Sequence, residues 1–378
     1  MKKLAFATWL VAGCCLLNGC SMIQPPSVSI EETPPYEEVT LFSDALFELG
    51  RMSVIYNAPP TKIQYTQVGD ETGASHPLAT GGEIQRDISE IVKSTLNSIG
   101  GKVSFIEYNP DYVINQITTG YSKFEKRAIP DIVVTGGITG FDRALETVSA
   151  GKDYSADLQF PDIQNEGDDV LFPPSELIAG AYSNSRKKGI ARITVDFNLK
   201  NYETLMGLPY MTTTNSIKVQ KGLNEKDLSI TVFGPSFGMK GNSTKVQGRH
   251  QAVRLLVQSS MIHLVGRYMA LPYWRLLGAE AEPDKFVLMQ LQNTYNRLDE
   301  FDRMVKAQLW LLVHGYSLDV TGEMDEKTKQ VLAEFDDSFN PEIPALTWPI
   351  FKEIYVTMPL TEDAFQRRVA INQLLAKN

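Results

Sequence analysis

The sequence predicts an α/β protein of the α+β kind: a sandwich of sheet and helices, followed by a small all-α region. Three observations carry this. Lys62 to Val68 and Ala191 to Leu199 alternate apolar and polar residues, the period of strands with one buried and one wet face. Between them Ile84, Ile88, Ile91, Val92, Leu96 and Ile99 recur at helical spacing, and Gly100-Gly101 ends the run. Past residue 285 strand signals stop and only helical spacing remains, in Leu288, Leu291, Tyr295 and Leu298 and then Val305, Leu309 and Leu312.

The chain opens with Lys2 and Lys3, an apolar run from Leu4 to Leu17, and Leu17-Asn18-Gly19-Cys20, the layout of a secretory signal over residues 1–19. A small residue before a cysteine, with leucine three positions upstream, resembles the lipobox of bacterial lipoproteins. That resemblance makes Cys20 the lipidation site, with an N-terminal acyl lipid as the only expected cofactor. Cleavage at Cys14 is a competing reading, with an apolar stretch of about eight residues; an ordinary cleaved signal and an uncut anchor are two more. Ser21 stands where lipoprotein sorting places aspartate for inner-membrane retention, which implies a periplasm-facing anchor in outer-membrane lipid.

All three cysteines (Cys14, Cys15, Cys20) lie in the leader or at its end, which leaves no pair for a disulfide and no cysteine metal cluster. The formal charge is −9, and loss of the two leader lysines makes it −11, so nucleic acid is not an expected partner. Beyond the leader no apolar run approaches the roughly 18 residues of a membrane helix.

In chain order, residues 20–60 are rich in proline and acid (Gln24-Pro25-Pro26, Glu31-Glu32-Thr33-Pro34-Pro35-Tyr36-Glu37-Glu38) and are expected to be an extended tether, with a short helical pattern at Leu41 to Leu49. The strand at 62–68 ends in the turn Asp70-Glu71-Thr72-Gly73; after the helix, strands are expected at Val103 to Tyr108 and Ile132 to Val134. Acids, prolines and glycines break Leu145 to Gly189, which is expected to be a long insertion. Ser216 to Val219 and Leu228 to Phe233 are expected to pair around Asn224-Glu225-Lys226, and Gln251 to Leu277 forms a helix with a wide apolar stripe.

The strand entering Asp70-Glu71-Thr72-Gly73, the stretch Ile132-Val133-Val134-Thr135-Gly136-Gly137-Ile138-Thr139-Gly140-Phe141, the strand Ile193 to Leu199, and a long helix ending in Tyr273-Trp274-Arg275-Leu276-Leu277 together resemble the curli production assembly and transport component family across residues 61–278. The resemblance implies a ring of identical subunits, β-hairpin insertions, and a secretion channel built from two β-hairpins per subunit. It places Ser75, His76 and Pro77 in the pore loop. This sequence departs there, since Ala74 to Thr80 is short and holds no aromatic residue. A membrane-crossing strand needs about 9–11 residues with an unbroken outward apolar row. Leu145 to Gly189 fails that test and Ser216 to Val246 meets it only marginally, so the ring is expected on the periplasmic side, with a channel as the alternative.

Residues 279–340 resemble the peptidoglycan-binding type 1 module through Gln308-Leu309, Gly315-Tyr316, Asp319, Gly322, Thr328 and the closing Phe335, although Phe335 is followed by Asp336 where the pattern has glutamine. The resemblance makes Gly315, Tyr316, Asp319, Gly322 and Thr328 the residues for glycan or partner docking. Gly315 is expected to stop a helix and Asp325 to cap the next. The tail, 341–378, carries Trp348, Phe351, Ile354, Tyr355 and a final helix after Thr361, apolar enough to cover a neighbour.

Four scattered histidines (His76, His250, His263, His314) have no metal-site spacing, and no nucleophile elbow or phosphate loop is present, so no catalytic residue, metal site or enzyme activity is expected. The expected function is a lipid-anchored, ring-forming structural subunit that partners itself, other envelope or appendage proteins, and peptidoglycan. The alternatives are a secretion channel and a monomeric peptidoglycan tether.

Overall fold

A computed structural model of the chain describes residues 42–75, 84–119, 128–147, 187–221, 228–231, 249–278 and 281–376. The expected signal peptide, the expected lipidation site Cys20, the acidic stretch that follows it, and the bulk of the expected insertion lie outside these residues. The fold is α+β: a mixed sheet, helices, and a helical carboxyl-terminal region.

The first described element corrects the tether, which was expected to run to residue 60. Helix α1 (Ser43–Ile55) buries Leu46, Leu49, Met52 and Ile55 completely. Their three-residue spacing makes one apolar stripe, and that stripe forces the helix into the core. Strands β1 (Thr61–Tyr65) and β2 (Gly69–Asp70) follow, then α2 (Ser89–Asn97), β3 (Val103–Ile106) and a helix that no sequence signal suggested, α3 (Pro110–Thr119).

Three long strands build the rest of the sheet: β4 (Ile132–Thr147), β5 (Lys187–Asn201) and β6 (Gly207–Lys221), with the short β7 (Leu228–Thr231) beside β6. The order is β3-β1-β4-β5-β6-β7, with β2 against β4. Pairings among β1, β2, β3 and β4 are parallel and the later ones antiparallel. The expected insertion therefore begins and ends as strand, because β4 and β5 pair in register from Ile132↔Asn201 out to Thr147↔Lys187.

Alternation decides the faces. Ile193, Val195, Phe197 and Leu199 of β5, with Met211, Thr213, Asn215 and Ile217 of β6, are buried toward helix α4 (Arg249–Tyr268). The opposite face is polar: Asp196 accepts hydrogen bonds from Thr139 and Thr214, and the Thr194 and Ser216 hydroxyls lie 2.8 Å apart. The helix expected to reach Leu277 stops at Tyr268, and a 3₁₀ turn (Tyr273–Leu276) brings the chain back.

Helices α5 (Lys285–Arg297), α6 (Glu300–His314), α7 (Glu326–Phe335), α8 (Trp348–Val356) and α9 (Glu362–Leu375) complete the chain. The tail covers its own chain: α8 packs on α5 and α6, and α9 packs on α1 and α6. The described residues thus form one compact unit with a continuous core.

Helix α1 meets the end of α2 backbone to backbone. A Cβ on Gly50 would stand 1.8 Å from the Ile99 carbonyl oxygen. Ser53 seals the contact by donating to the Gly50 carbonyl (2.6 Å) and accepting from the Lys102 N–H (2.9 Å). Gly50→Ala forces these backbones apart and should cost at least about 1–3 kcal/mol, the usual range for overpacking. Urea denaturation of the purified chain will read this as a lower midpoint at unchanged slope.

Candidate functional site

The docking residues expected in the helical region divide by location. Gly315 ends α6 at φ 108°, its N–H shared between the Leu311 (3.2 Å) and Leu312 (3.1 Å) carbonyls. Asp325 caps α7 by accepting the Thr328 N–H at 2.7 Å, as the spacing predicts. Gly322 and Thr328 are interior. Gly322 sits at φ 73°, and a Cβ there would meet the Phe301 ring at 2.2 Å. Thr328 is fully buried and its hydroxyl accepts from Gln308 Nε2 at 2.9 Å.

Gln308, fully buried in the middle of α6, organises this loop. Its Nε2 also donates to the Thr321 hydroxyl and the Glu323 carbonyl (both 3.1 Å), and its Oε1 accepts the Gly322 N–H at 2.9 Å. The Gln-Leu, Gly and Thr positions of the motif are thereby tied into one hydrogen-bonded unit. The side chains left to face a partner are Asp319, which is exposed, and Tyr316, half-buried with its edge toward Phe335.

Of the expected pore loop, Ser75 is described, while His76 and Pro77 lie outside the described residues. The Asp70 carboxylate fixes the start of the loop: it accepts the Thr72 N–H (2.8 Å) and hydroxyl (2.5 Å) and the Ser75 N–H (2.7 Å). Partial burial works against its charge, but these hydrogen bonds outweigh that and hold its carboxyl below the usual range.

A joint between the sheet and the helical region had no sequence signal. Arg267, at the end of α4, donates from Nε to Asp284 Oδ2 at 2.8 Å and from Nη1 to the Tyr210 (2.8 Å) and Thr212 (3.1 Å) carbonyls of β6. Tyr273 donates to the same Asp284 oxygen, and Asp284 Oδ1 accepts the Phe286 N–H at 2.8 Å as the cap of α5. Burial raises the Asp284 carboxyl, yet the Tyr273 and Arg267 hydrogen bonds, the guanidinium charge and the Phe286 N–H together hold it below the ordinary range.

A second joint lies nearby. Arg275 Nη1 reaches the Tyr56 hydroxyl (3.0 Å) and the Val356 and Met358 carbonyls (both 2.8 Å). Tyr355 packs edge-on against Tyr56 with centroids 4.8 Å apart, and it donates to the Ala270 carbonyl at 2.9 Å. Beside this joint opens a cleft of about 450 Å³, between the end of α1, the end of α4, and helices α5, α6, α8 and α9. Trp310 and Tyr355 line it with three cations, Arg297, Lys306 and Arg368, and no carboxylate. Those positions run from Tyr56 to Arg368, too far apart in the chain for any local pattern to link them.

Among the described residues no three histidine, cysteine or acidic side chains gather to hold a metal ion, and no helix is long and apolar enough to cross a membrane. No protein-family model matches the chain, and no curated protein matches it.

Two measurements separate support from docking. Gln308→Ala strands the buried Thr328 hydroxyl and Gly322 N–H and should cost about 1–3 kcal/mol, whereas Asp319→Ala should stay within about 0.5 kcal/mol; thermal unfolding reads both. The acid limb of stability tests the first joint. A carboxylate held below its unfolded value of about 4 stabilises fully above that value and loses the contribution as pH falls through its folded value. Asp284→Asn should therefore lower the melting temperature at pH 7 and flatten its decline below about pH 4.

Proposed function

We propose that the chain is a lipid-anchored, ring-forming structural subunit of an outer-membrane assembly. The carrying observation is the ribbon made by β4 to β7. Strands of 15–16 residues extend about 50 Å at roughly 3.3 Å per residue, while the 20-residue α4 extends about 30 Å. The sheet thus outruns its covering helix.

Direction adds to this. Thr147↔Lys187, Gly189↔Lys221 and Lys221↔Leu228 are register partners, so both hairpins leave the body at the same end. Rows of the ribbon alternate in composition: Phe141, Ile193 and Ile217 share one row, Asp142, Arg192, Lys218 and Thr231 the next, and Arg143, Ala191, Val219 and Ile230 the one after. Beyond Ile138, β4 pairs only with β5 among the described residues, and β7 pairs only with β6. Two open edges on identical subunits favour edge-to-edge closure, with β4 of one copy beside β7 of the next, and closed rings are the ordinary outcome of such head-to-tail contacts. Cys20 supplies one lipid anchor per subunit in this reading, and a ring multiplies the anchors.

The same ribbon favours a second reading, a secretion channel, because two hairpins leaving side by side are what a β-barrel assembled from several subunits requires. Detergent-extracted protein should have a mass that is a whole multiple of the chain by light scattering; a monomer ends both readings. Cys20→Ser should leave the membrane fraction and keep the oligomer mass. Conductance in planar bilayers would assign the oligomer to the channel reading, and a ring without conductance to the scaffold reading.

A further inference from the structure

The cleft beside the Arg275 joint has a chemistry that neither the ring nor the wall-binding pattern uses. Arg368 is 3% exposed, and its Nε donates to the Ile55 carbonyl at 2.7 Å. Its Nη2 has no hydrogen-bond partner among the described residues. A buried guanidinium nitrogen left without an acceptor is costly, and in native proteins such groups are rare. Burial lowers the Arg368 pKa to about 10, which leaves the group charged at neutral pH.

Two more cations line the same cavity. Arg297 donates to the Asn293 carbonyl at 3.2 Å, and Lys306 forms no ion pair among the described residues. The lining holds no aspartate or glutamate, in a chain whose formal charge is −9. Such local concentration of one sign in a walled cleft focuses potential on an anion. Behind the cations, Trp310 and Tyr355 are each 8% exposed and make an aromatic floor, and Gln290, Asn293 and Thr294 add side chains that donate and accept hydrogen bonds.

We infer that this cleft binds a short peptide by its free terminal carboxylate, with Arg368 holding the acid group, Lys306 and Arg297 steering it, and the aromatic floor packing the terminal side chain. The planar guanidinium matches a carboxylate in shape and charge. The amide and hydroxyl side chains suit the peptide groups next to that carboxylate, which a bare inorganic anion lacks. A cavity of about 450 Å³ lies in the ordinary range for small ligands. The inference does not depend on ring assembly. Its ligand has two sources, an all-L protein terminus and a cell-wall stem peptide ending in D-alanine, which share the carboxylate and differ in chirality.

The test is calorimetric titration of the full-length detergent-extracted protein at pH 7. The probes are an N-acetylated all-L tripeptide acid with a terminal aromatic residue, its C-terminal amide, an N-acetylated Lys-D-Ala-D-Ala acid, and inorganic phosphate. One of the acids should bind, the amide at least tenfold more weakly, and the preferred chirality names the source. Lys306→Gln and Arg297→Gln, both at the cleft's more exposed side, should each weaken binding several-fold with the melting temperature nearly unchanged, and Arg368→Lys should weaken it more. Equal binding of acid and amide, no binding of either acid at millimolar concentration, phosphate binding as tightly as the acids, or Lys306→Gln and Arg297→Gln without effect would each overturn the inference.

Discussion

Helix α4 is the constraint on which the rest of the structure depends. From Ala252 to Gly266 nearly every residue is buried, Ser259 and Ser260 included. A helix that is wetted on no side needs apolar partners all round. The buried faces of β5 and β6 supply one side, and α1 and α2 supply others. Of its two buried serines Ser260 is bonded, since Asn215 of β6 donates to it and it donates back to the Leu256 carbonyl, while the Ser259 hydroxyl has no partner among the described residues. Gly266 then meets the Tyr273 side chain, whose Cβ would stand 2.5 Å from a Cβ added there, so the chain returns tightly and the 3₁₀ turn seats Arg275 near α1 and α8.

The two arginine joints follow from that return, and their weights differ. Arg267 and Asp284 are mostly buried, with side chains 14% and 6% exposed, so breaking the pair strands a charge and costs several times what a surface ion pair is worth. Arg275 is more exposed, and its hydrogen bonds count for less individually. The heavier contribution there is aromatic: Trp310 packs against Phe351 and Tyr355, and Tyr355 against Tyr56. Together these make the helical region a part of the body's core.

Much of this was legible. Alternation in β5, the αL stop at Gly315 and the cap at Asp325 are local patterns, and each appears in the fold where the residues place it, while the apolar helix expected from Gln251 to Leu277 is present as α4 but ends at Tyr268. Only the first half of helix α1 was legible, as the helical pattern at Leu41 to Leu49; its extension through Met52 and Ile55 was obscured because it lies between proline- and acid-rich segments. The length of β6 was obscured by Thr212-Thr213-Thr214, which carries no apolar alternation yet pairs well inside a sheet. Both arginine joints and the cleft are long-range juxtapositions, and no period or spacing encodes a contact between Tyr56 and Arg275 or between Ile55 and Arg368.

The joints also limit what the helical region can do. A module swinging on a linker samples many orientations, whereas one welded through Arg267 and Arg275 keeps a fixed direction relative to the ribbon of β4 to β7. Copies arranged in a ring would therefore present their Tyr316 and Asp319 surfaces at a constant radius and tilt. The cleft lies beside the second joint and is lined by Tyr56 and Ala270 from the body as well as by Arg297, Lys306 and Arg368 from the helical region, so an occupant filling it touches both sides of the weld. Any ligand that binds only the assembled arrangement stabilises it in proportion to the logarithm of its concentration over its dissociation constant. Occupancy there would stiffen the connection between the Tyr316 and Asp319 surface and the ribbon of β4 to β7.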